Sequence, residues 1–169
     1  MLEAKHHAML AQAQSQGHVK LANIQTCFEI LALAAAINRD CSVRLAQHSL
    51  SEGKFVLLFL LRDQPAGLSP HALAEQAGVS RATVTGLLDG LERSGLLVRL
   101  HNTADRRMVN VQLTEEGQVL TQALFKEHTQ WISTLFSSFS ADELQTLRKL
   151  LCKVWLKTEA GVTSQPPID

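Results

Sequence analysis

The sequence predicts a mainly α-helical protein with one small β wing. Apolar residues recur at three- and four-residue steps over most of the chain, which is the period of amphipathic helices. Serines precede several of these segments and glycines follow them, as expected of helix caps. Two short apolar runs, 96–100 and 109–113, flank a charged loop and predict a pair of strands.

Composition limits the class of protein. The 169 residues are 46% hydrophobic and 19% charged, with a formal net charge of zero, so the chain can bury a core and net charge predicts no general attraction to nucleic acid or membrane. Three cysteines without a C-x-x-C pair fit a reducing compartment. Charged residues interrupt the first apolar ones, so no signal peptide is expected. We therefore expect a cytoplasmic protein without a membrane partner.

The N-terminal third predicts a scaffold. Residues 1–17 predict a helical extension that Gly17 ends. Residues 19–47 predict one uninterrupted helix of about 40 Å. That length exceeds the width of a small core and suggests an element that reaches a second subunit. Ser51 is a suitable cap for a helix over 52–63, whose apolar run indicates burial on most sides.

Two helices joined by a short turn follow. Ser69 and Pro70 start the first, because a hydroxyl cap and a proline without an N–H both suit a helix start. Gly78 is placed to end it in a left-handed conformation, Val79 is expected in the core, and Ser80 caps the second helix. Helix, glycine-containing turn and helix form the helix-turn-helix signature.

The second of these helices has one apolar face and one face of small or hydroxyl side chains. Val84, Leu87, Leu88 and Leu91 fall on the buried face. Two glycines inside the helix, Gly86 and Gly90, each cost about 1 kcal/mol relative to alanine, so stability alone does not explain them.

The complete order is helix, turn, helix, strand, charged loop and strand, which is a winged helix-turn-helix over 51–113. Such a lobe places its second helix in the major groove of DNA and its loop on the neighbouring backbone or minor groove. Arginine suits the loop because its charged fork binds phosphate, and Asp105 is spaced to hold Arg107. From Ser80 to Asn110 five arginines face three acids, a modest local excess. The candidate DNA-contacting residues are Ser69, Ser80, Arg81, Ala82, Thr83, Thr85, Gly86, Arg106 and Arg107.

The C-terminal part returns to helices. A helix starts after Thr114 and runs to residue 138, and Ser140 with Glu143 forms the capping box of the next. We assign 18–50 and 114–160 to dimerisation helices and 161–169 to a disordered tail.

The segment from Leu68 to Gly117 resembles the core of MarR-family transcription regulators. The matching motifs include Gly78-Val79-Ser80, Thr83-Val84-Thr85, Asp105-Arg106-Arg107 and Leu113-Thr114-Glu115-Glu116-Gly117. The resemblance implies a homodimer whose terminal helices interlock and whose two lobes bind a pseudo-palindromic operator on double-stranded DNA. It also implies that Arg107 contacts DNA and that Asp105 orients the wing. Many relatives carry a basic residue where this chain has Gly86.

The resemblance further implies a cleft between scaffold and lobe for a small aromatic or phenolic effector, and the function expected is that of a repressor released by it. His48, Phe55 and Phe59 are the candidate lining residues, although packing in the core is the alternative for the two phenylalanines. One branch of the family senses peroxide through a cysteine that tyrosines hold, and Cys27 or Cys41 is the corresponding alternative here. The chain has no tyrosine, and packing is the default role for these thiols.

Other functions are weakly supported by the sequence. It has no glycine-rich phosphate loop, no His-Glu metal motif and no G-x-S-x-G elbow, so no enzyme is expected. No cofactor or metal is predicted, since His6 and His7 have no third ligand nearby and His128 falls beside an apolar stripe. A dimerisation module without DNA binding is the remaining alternative.

Overall fold

A computed structural model describes residues 2–17, 20–101 and 109–163, which form eight helices and two strands. Asp105, Arg106 and Arg107, the three residues predicted at the wing tip, lie outside these ranges. The elements are α1 (Ala4–Ser15), α2 (Leu21–Ala46), α3 (Glu52–Leu61), α4 (Pro70–Ala77), α5 (Arg81–Arg93), β1 (Leu97–His101), β2 (Val109–Leu113), α6 (Glu115–Leu135), α7 (Ala141–Trp155) and α8 (Glu159–Thr163). The predicted class, mainly α with a small β wing, is confirmed.

Local capping chemistry sets most helix ends. The hydroxyl oxygens of Ser51, Ser69, Ser80 and Ser140 each accept a hydrogen bond from the backbone N–H three residues later, as predicted. The Ser140 backbone N–H in turn donates to the Glu143 carboxylate at 2.8 Å, which completes a capping box. Gly78 ends α4 with φ +66°, the left-handed conformation that glycine adopts without a steric penalty.

The chain divides into two compact units, 1–123 and 124–169. In the first, α3, α4, α5 and the hairpin pack on one another. Their contact surfaces bury leucines and valines almost completely, and each such side chain stabilises the fold by about 1.5–3 kcal/mol. The largest fully buried side chains are Leu57, Leu58, Leu61, Leu73, Leu88, Leu91, Leu97, Val84, Val111 and Thr121. The first nine are the core of the lobe.

The hairpin carries a further backbone connection to the segment before α4. β1 and β2 pair antiparallel, with Leu97 opposite Leu113. Leu68 exchanges two hydrogen bonds with Val111: its N–H donates at 3.0 Å and its carbonyl accepts at 2.8 Å. Gly67 makes this approach possible, because a Cβ at its φ of +76° would lie 2.5 Å from the Val111 oxygen. The start of the helix-turn-helix is therefore fixed to the wing.

A second close approach joins the first turn of α6 to the hairpin. A Cβ on Gly117 would lie 1.9 Å from the Leu96 carbonyl oxygen, so only glycine fits. The Thr114 hydroxyl donates to the Gly95 carbonyl at 2.7 Å and accepts from the Gly117 N–H at 3.0 Å. These contacts fix the first turn of α6 against the hairpin.

The predicted N-terminal extension forms α1, which packs against α2. His6 is its buried residue, and the Glu3 N–H donates to His6 Nδ1 at 3.1 Å. The His6 ring centroid lies 5.2 Å from that of Phe28 on α2. The extension is thus attached to the long helix by an aromatic contact as well as by the turn at Gly17.

The second unit contains the C-terminal part of α6 and the helices α7 and α8. The rings of His128 and Trp131 are in tilted contact, with centroids 5.2 Å apart. No residue of α7 is buried. α8 includes residues 161–163 of the stretch predicted as a disordered tail. Residues 164–169 lie outside the described ranges.

One prediction of a core residue is wrong. Val79, in the turn between α4 and α5, is 42% exposed. Its N–H bonds to the Ala74 carbonyl at 3.1 Å, as the left-handed end of α4 requires. The turn therefore holds the backbone at this position and leaves the side chain at the surface.

Candidate nucleic-acid interface

The structure places the predicted reading face of α5 at the surface. Val84, Leu88 and Leu91 are fully buried on one side of the helix. Ala82 and Gly86, predicted on the opposite side, are exposed, as are Thr83 and Thr85, predicted beside it, and Arg81 at the first position of the helix. A Cβ added to Gly86 would meet no atom within 4 Å. The helix thus offers a free, low-profile surface of the kind that can enter a major groove.

The two cap serines have structural roles. Ser69 Oγ accepts from the Ala72 N–H at 3.1 Å, and the residue is only partly exposed. Ser80 Oγ accepts from the Thr83 N–H at 3.1 Å and lies 2.8 Å from Thr83 Oγ1. Both serines therefore position the helix starts, and contact with DNA stays a prediction for them.

Thr85 has its hydroxyl committed within the helix. Its Oγ1 donates to the Arg81 carbonyl at 2.9 Å, the bond to the preceding turn that threonine makes in helices. This bond uses the one donor of the Thr85 hydroxyl, and one of the two hydroxyls of Ser80 and Thr83 donates to the other. Thr85 therefore offers a ligand its methyl group and the acceptor capacity of Oγ1, but no donor.

His71 belongs to this surface and was missed by the sequence analysis. It is exposed in the first turn of α4, and its Nε2 lies 3.5 Å from an Nη of Arg81. Ten residues separate the two in sequence. The short turn after α4 brings them together, and that geometry was available only from the fold.

Arg99 of β1 is bound to acids of α5. Its Nη2 lies 2.6 Å from Asp89 Oδ1, and its Nη1 lies 3.0 Å from Glu92 Oε2. The side chain is only 26% exposed. The local excess of positive charge counted from the sequence included this arginine and both acids, and in the structure the three bind one another. The spacing of the two acids, three residues apart on one helix face, was the available signal for this cluster.

Arg93 also turns back on its own helix, because its Nε donates to the Asp89 carbonyl at 3.2 Å. Arg81 is then the arginine at the leading end of α5, adjacent to the positive end of the helix dipole. Both favour an anion such as a backbone phosphate near this end. Among the described residues of α5, Arg81 is therefore the cation at the leading end.

The three candidate effector residues have different environments. Phe55 on α3 is buried in the hydrophobic core, as the alternative of a packing role requires. Phe59 is 38% exposed, and the Arg62 guanidinium carbon lies 5.0 Å from its ring centroid. His48 is exposed in the turn between α2 and α3. These positions leave an effector site at the helix junction as a prediction.

The cysteines also differ. Cys27 is exposed, Cys152 is half-buried and Cys41 is buried. Burial raises the pKa of the Cys41 thiol, and the nearby negative charge of Glu52 raises it further. A raised pKa lowers the fraction of reactive thiolate, so Cys41 suits packing better than peroxide sensing. Within residues 2–17, 20–101 and 109–163, no group of three or more His, Cys, Asp or Glu side chains is arranged to hold a metal ion.

Comparisons with known proteins agree with this architecture. Residues 50–109, which contain the helix-turn-helix and β1, match the model of the MarR family. The chain is 32% identical over 148 residues to the HTH-type transcriptional repressor YetL of Bacillus subtilis, a match that covers 87% of this chain and 89% of YetL. It is 35% identical over 120 residues to the HTH-type transcriptional regulator PecS of Dickeya dadantii, covering 70% and 72%.

Solved structures show the same fold. The S. aureus MepR protein in a complex with DNA superimposes with a TM-score of 0.68 at 24% identity, covering 78% of this chain and 97% of MepR. Streptococcus pneumoniae FabT, also solved with DNA, gives a TM-score of 0.67 at 22% identity, covering 78% and 94%.

Proposed function

Because the chain belongs to the MarR family of transcription regulators and not to a family of enzymes, we propose that it is a homodimeric, sequence-specific repressor of the cytoplasm. In this proposal α5 of each subunit enters one major groove of a pseudo-palindromic operator. The wing, with Arg106 and Arg107, lies on the adjacent backbone or minor groove, and Asp105 orients it.

The observation that carries the proposal is the division of α5 into two faces. Its buried face fixes the helix in the lobe, while its leading turns are exposed and carry Arg81 but no acid. The acids further along the helix, Asp89 and Glu92, are paired with Arg99. Repulsion between these acids and the phosphates of a bound duplex is therefore reduced.

Exposed apolar surface on the scaffold supports a dimer. Leu150 and Val154 of α7 are each 54% exposed, although both fall on the apolar face of that helix. Leu31 and Leu33 of α2 are 56% and 51% exposed. A large apolar surface on a soluble regulator indicates a protein interface. By length and composition α2 would also be able to cross a membrane, but a second copy of a regulator accounts for the same surface.

Release by an effector follows from thermodynamic linkage. We propose that a small aromatic or phenolic ligand binds near the junction of α2 and α3, where His48 and Phe59 are exposed. In this proposal the ligand prefers a spacing of the two lobes that no longer matches successive major grooves. Bound ligand then lowers the affinity for DNA by the same factor by which bound DNA lowers the affinity for the ligand.

The test is a fluorescence anisotropy titration of the full-length protein with the DNA upstream of its own gene. We expect affinity to fall steeply as salt rises, because binding releases counterions from phosphates. Arg107→Ala should weaken binding to every sequence and reduce the slope against log salt by about 1, whereas Arg148→Ala on α7 is the control. Undiminished binding by Arg107→Ala would remove the wing from the mechanism, and the absence of salt-dependent binding would leave only a dimerisation module.

A thiol sensor on the same scaffold is the second candidate, and the exposure of Cys27 is what favours it. Peroxide should then release DNA from the wild type but not from Cys27→Ser. Equal release from both, or from neither, excludes this candidate.

A further inference from the structure

The reading face of α5 has an unusual chemical composition. DNA-binding helices commonly distinguish bases through arginine, lysine, asparagine or glutamine, which bond to base edges in pairs. α5 contains no asparagine, glutamine or lysine, and its arginines are Arg81 at the first position and Arg93 at the last. Between them the exposed residues of the leading turns are Ala82, Thr83, Thr85 and Gly86. Base recognition in the middle of the groove must therefore use other contacts.

Internal hydrogen bonds decide what those residues can present. The Thr85 hydroxyl donates to the Arg81 carbonyl at 2.9 Å, and Thr83 Oγ1 is 2.8 Å from Ser80 Oγ. To donate to a base, Thr85 would have to break the bond to Arg81, so its oxygen is left only as an acceptor. The Thr85 methyl and the Ala82 methyl need no such exchange. Gly86 follows with no side chain, so the backbone can approach the duplex closely beside Thr85.

We propose that Thr85 is a specificity-determining residue that recognises the 5-methyl group of a thymine in each half-site. In the major groove that methyl is the one apolar feature among the base edges, and threonine methyls pack against it. The proposal rests on the proposed function, since it requires α5 to occupy the groove. It predicts operators with a required thymine facing Thr85 rather than a guanine read by an arginine at the same position.

The test starts from an operator that the full-length protein selects from a random-sequence duplex library. Each thymine of one half-site is then replaced singly by deoxyuridine, which removes the methyl and leaves base pairing unchanged. One position should weaken binding about fourfold, the value expected from losing one buried methyl group. Replacement in both half-sites should give the product of the two effects.

Variants of Thr85 assign the effect to its methyl. Thr85→Ser keeps the hydroxyl that bonds to Arg81 and loses the methyl, so it should bind the thymine operator about fourfold less tightly per half-site and should no longer distinguish thymine from uracil. Thr85→Val keeps a methyl and should remain sensitive to uracil. Thr129→Ser is the matched control, because Thr129 on α6 is exposed and its hydroxyl makes the same type of bond, to the Phe125 carbonyl at 2.8 Å. Circular dichroism melting of each variant checks that it is folded.

The outcomes distinguish a failure of the proposed function from a failure of the role of Thr85. If no sequence is selected and binding does not depend on salt, the proposed function fails. If an operator is selected but no uracil substitution changes the affinity, or if Thr85→Ser remains as sensitive to uracil as the wild type, DNA binding stands and the role of Thr85 is overturned.

Discussion

The Arg99 cluster allows a quantitative test of how the wing and the reading helix are joined. Arg99→Met retains an apolar stem of similar length and removes the contacts to Asp89 at 2.6 Å and Glu92 at 3.0 Å. The acids are 50% and 40% exposed, so solvent screens each pair to about 0.2–1 kcal/mol. Two pairs from one half-buried guanidinium give an expected loss of about 1 kcal/mol. Removing Arg99 also leaves Glu92 unpaired in the last turn of α5, where the helix dipole disfavours an acid.

The assay is urea unfolding followed by circular dichroism at a fixed protomer concentration, since the stability of the proposed dimer would depend on concentration. A double-mutant cycle of Arg99→Met with Asp89→Asn should give a coupling of about 0.5 kcal/mol or more that shrinks at high salt. Coupling indistinguishable from zero at low salt would refute the view that this ion pair joins β1 to α5. In the DNA titration, Arg99→Met should also bind more weakly, because Asp89 and Glu92 lose their partner and their charges repel the phosphates of the duplex.

Three further predictions concern packing, reactivity and pH. Gly117→Ala should lower the free energy of unfolding by about 3 kcal/mol or prevent folding, because its Cβ would meet a backbone oxygen; Gly86→Ala, at an open helical position, should raise it by about 1 kcal/mol, and similar melting temperatures would contradict this contrast. Cys41 should react with a thiol reagent near pH 8 more slowly than exposed Cys27, because burial raises its pKa; mass spectrometry of partly alkylated protein would show the reverse order if this is wrong. The pKa of Glu143 is lowered by the backbone and hydroxyl hydrogen bonds from Ser140; its folded pKa lies below the unfolded value, so its stabilising contribution is present above pH 4.5 and is lost as pH falls through the folded pKa. Glu143→Gln should therefore reduce the loss of unfolding free energy at acid pH. An unchanged loss would show that the capping box does not contribute to the acid dependence of stability.

Local signals in the sequence predicted much of this fold. A serine cap or a left-handed glycine acts over three or four residues, so Ser80 and Gly78 could be assigned without knowing the tertiary structure. Val79 was misplaced because burial depends on which elements cover a turn. The contacts of Arg99 were not predicted, because its acid partners lie seven and ten residues away on another element. Two acids on one helix face indicate that a cation can bind there, but packing decides which cation it is.

The same limit applies to the candidate interface. The exposed set on α5 followed from helical periodicity, and the structure confirmed its exposure. The commitment of the Thr85 hydroxyl to its own helix did not follow, because a threonine on a helix surface has more than one allowed rotamer. The contact of His71 with Arg81 required the turn angle between α4 and α5. Exposure along one helix face was therefore predictable, whereas the rotamer of Thr85 and the side-chain contacts between elements were not.

The backbone pairing of Leu68 with Val111 bears on how relatives of this protein can diverge. Ser69, the cap of α4, is the very next residue, so one inserted residue after Gly67 would break two hydrogen bonds and displace a helix start together. Residues added between the two strands disturb neither. A change in the length of the wing would therefore alter how far it can extend along a duplex without moving the start of α4.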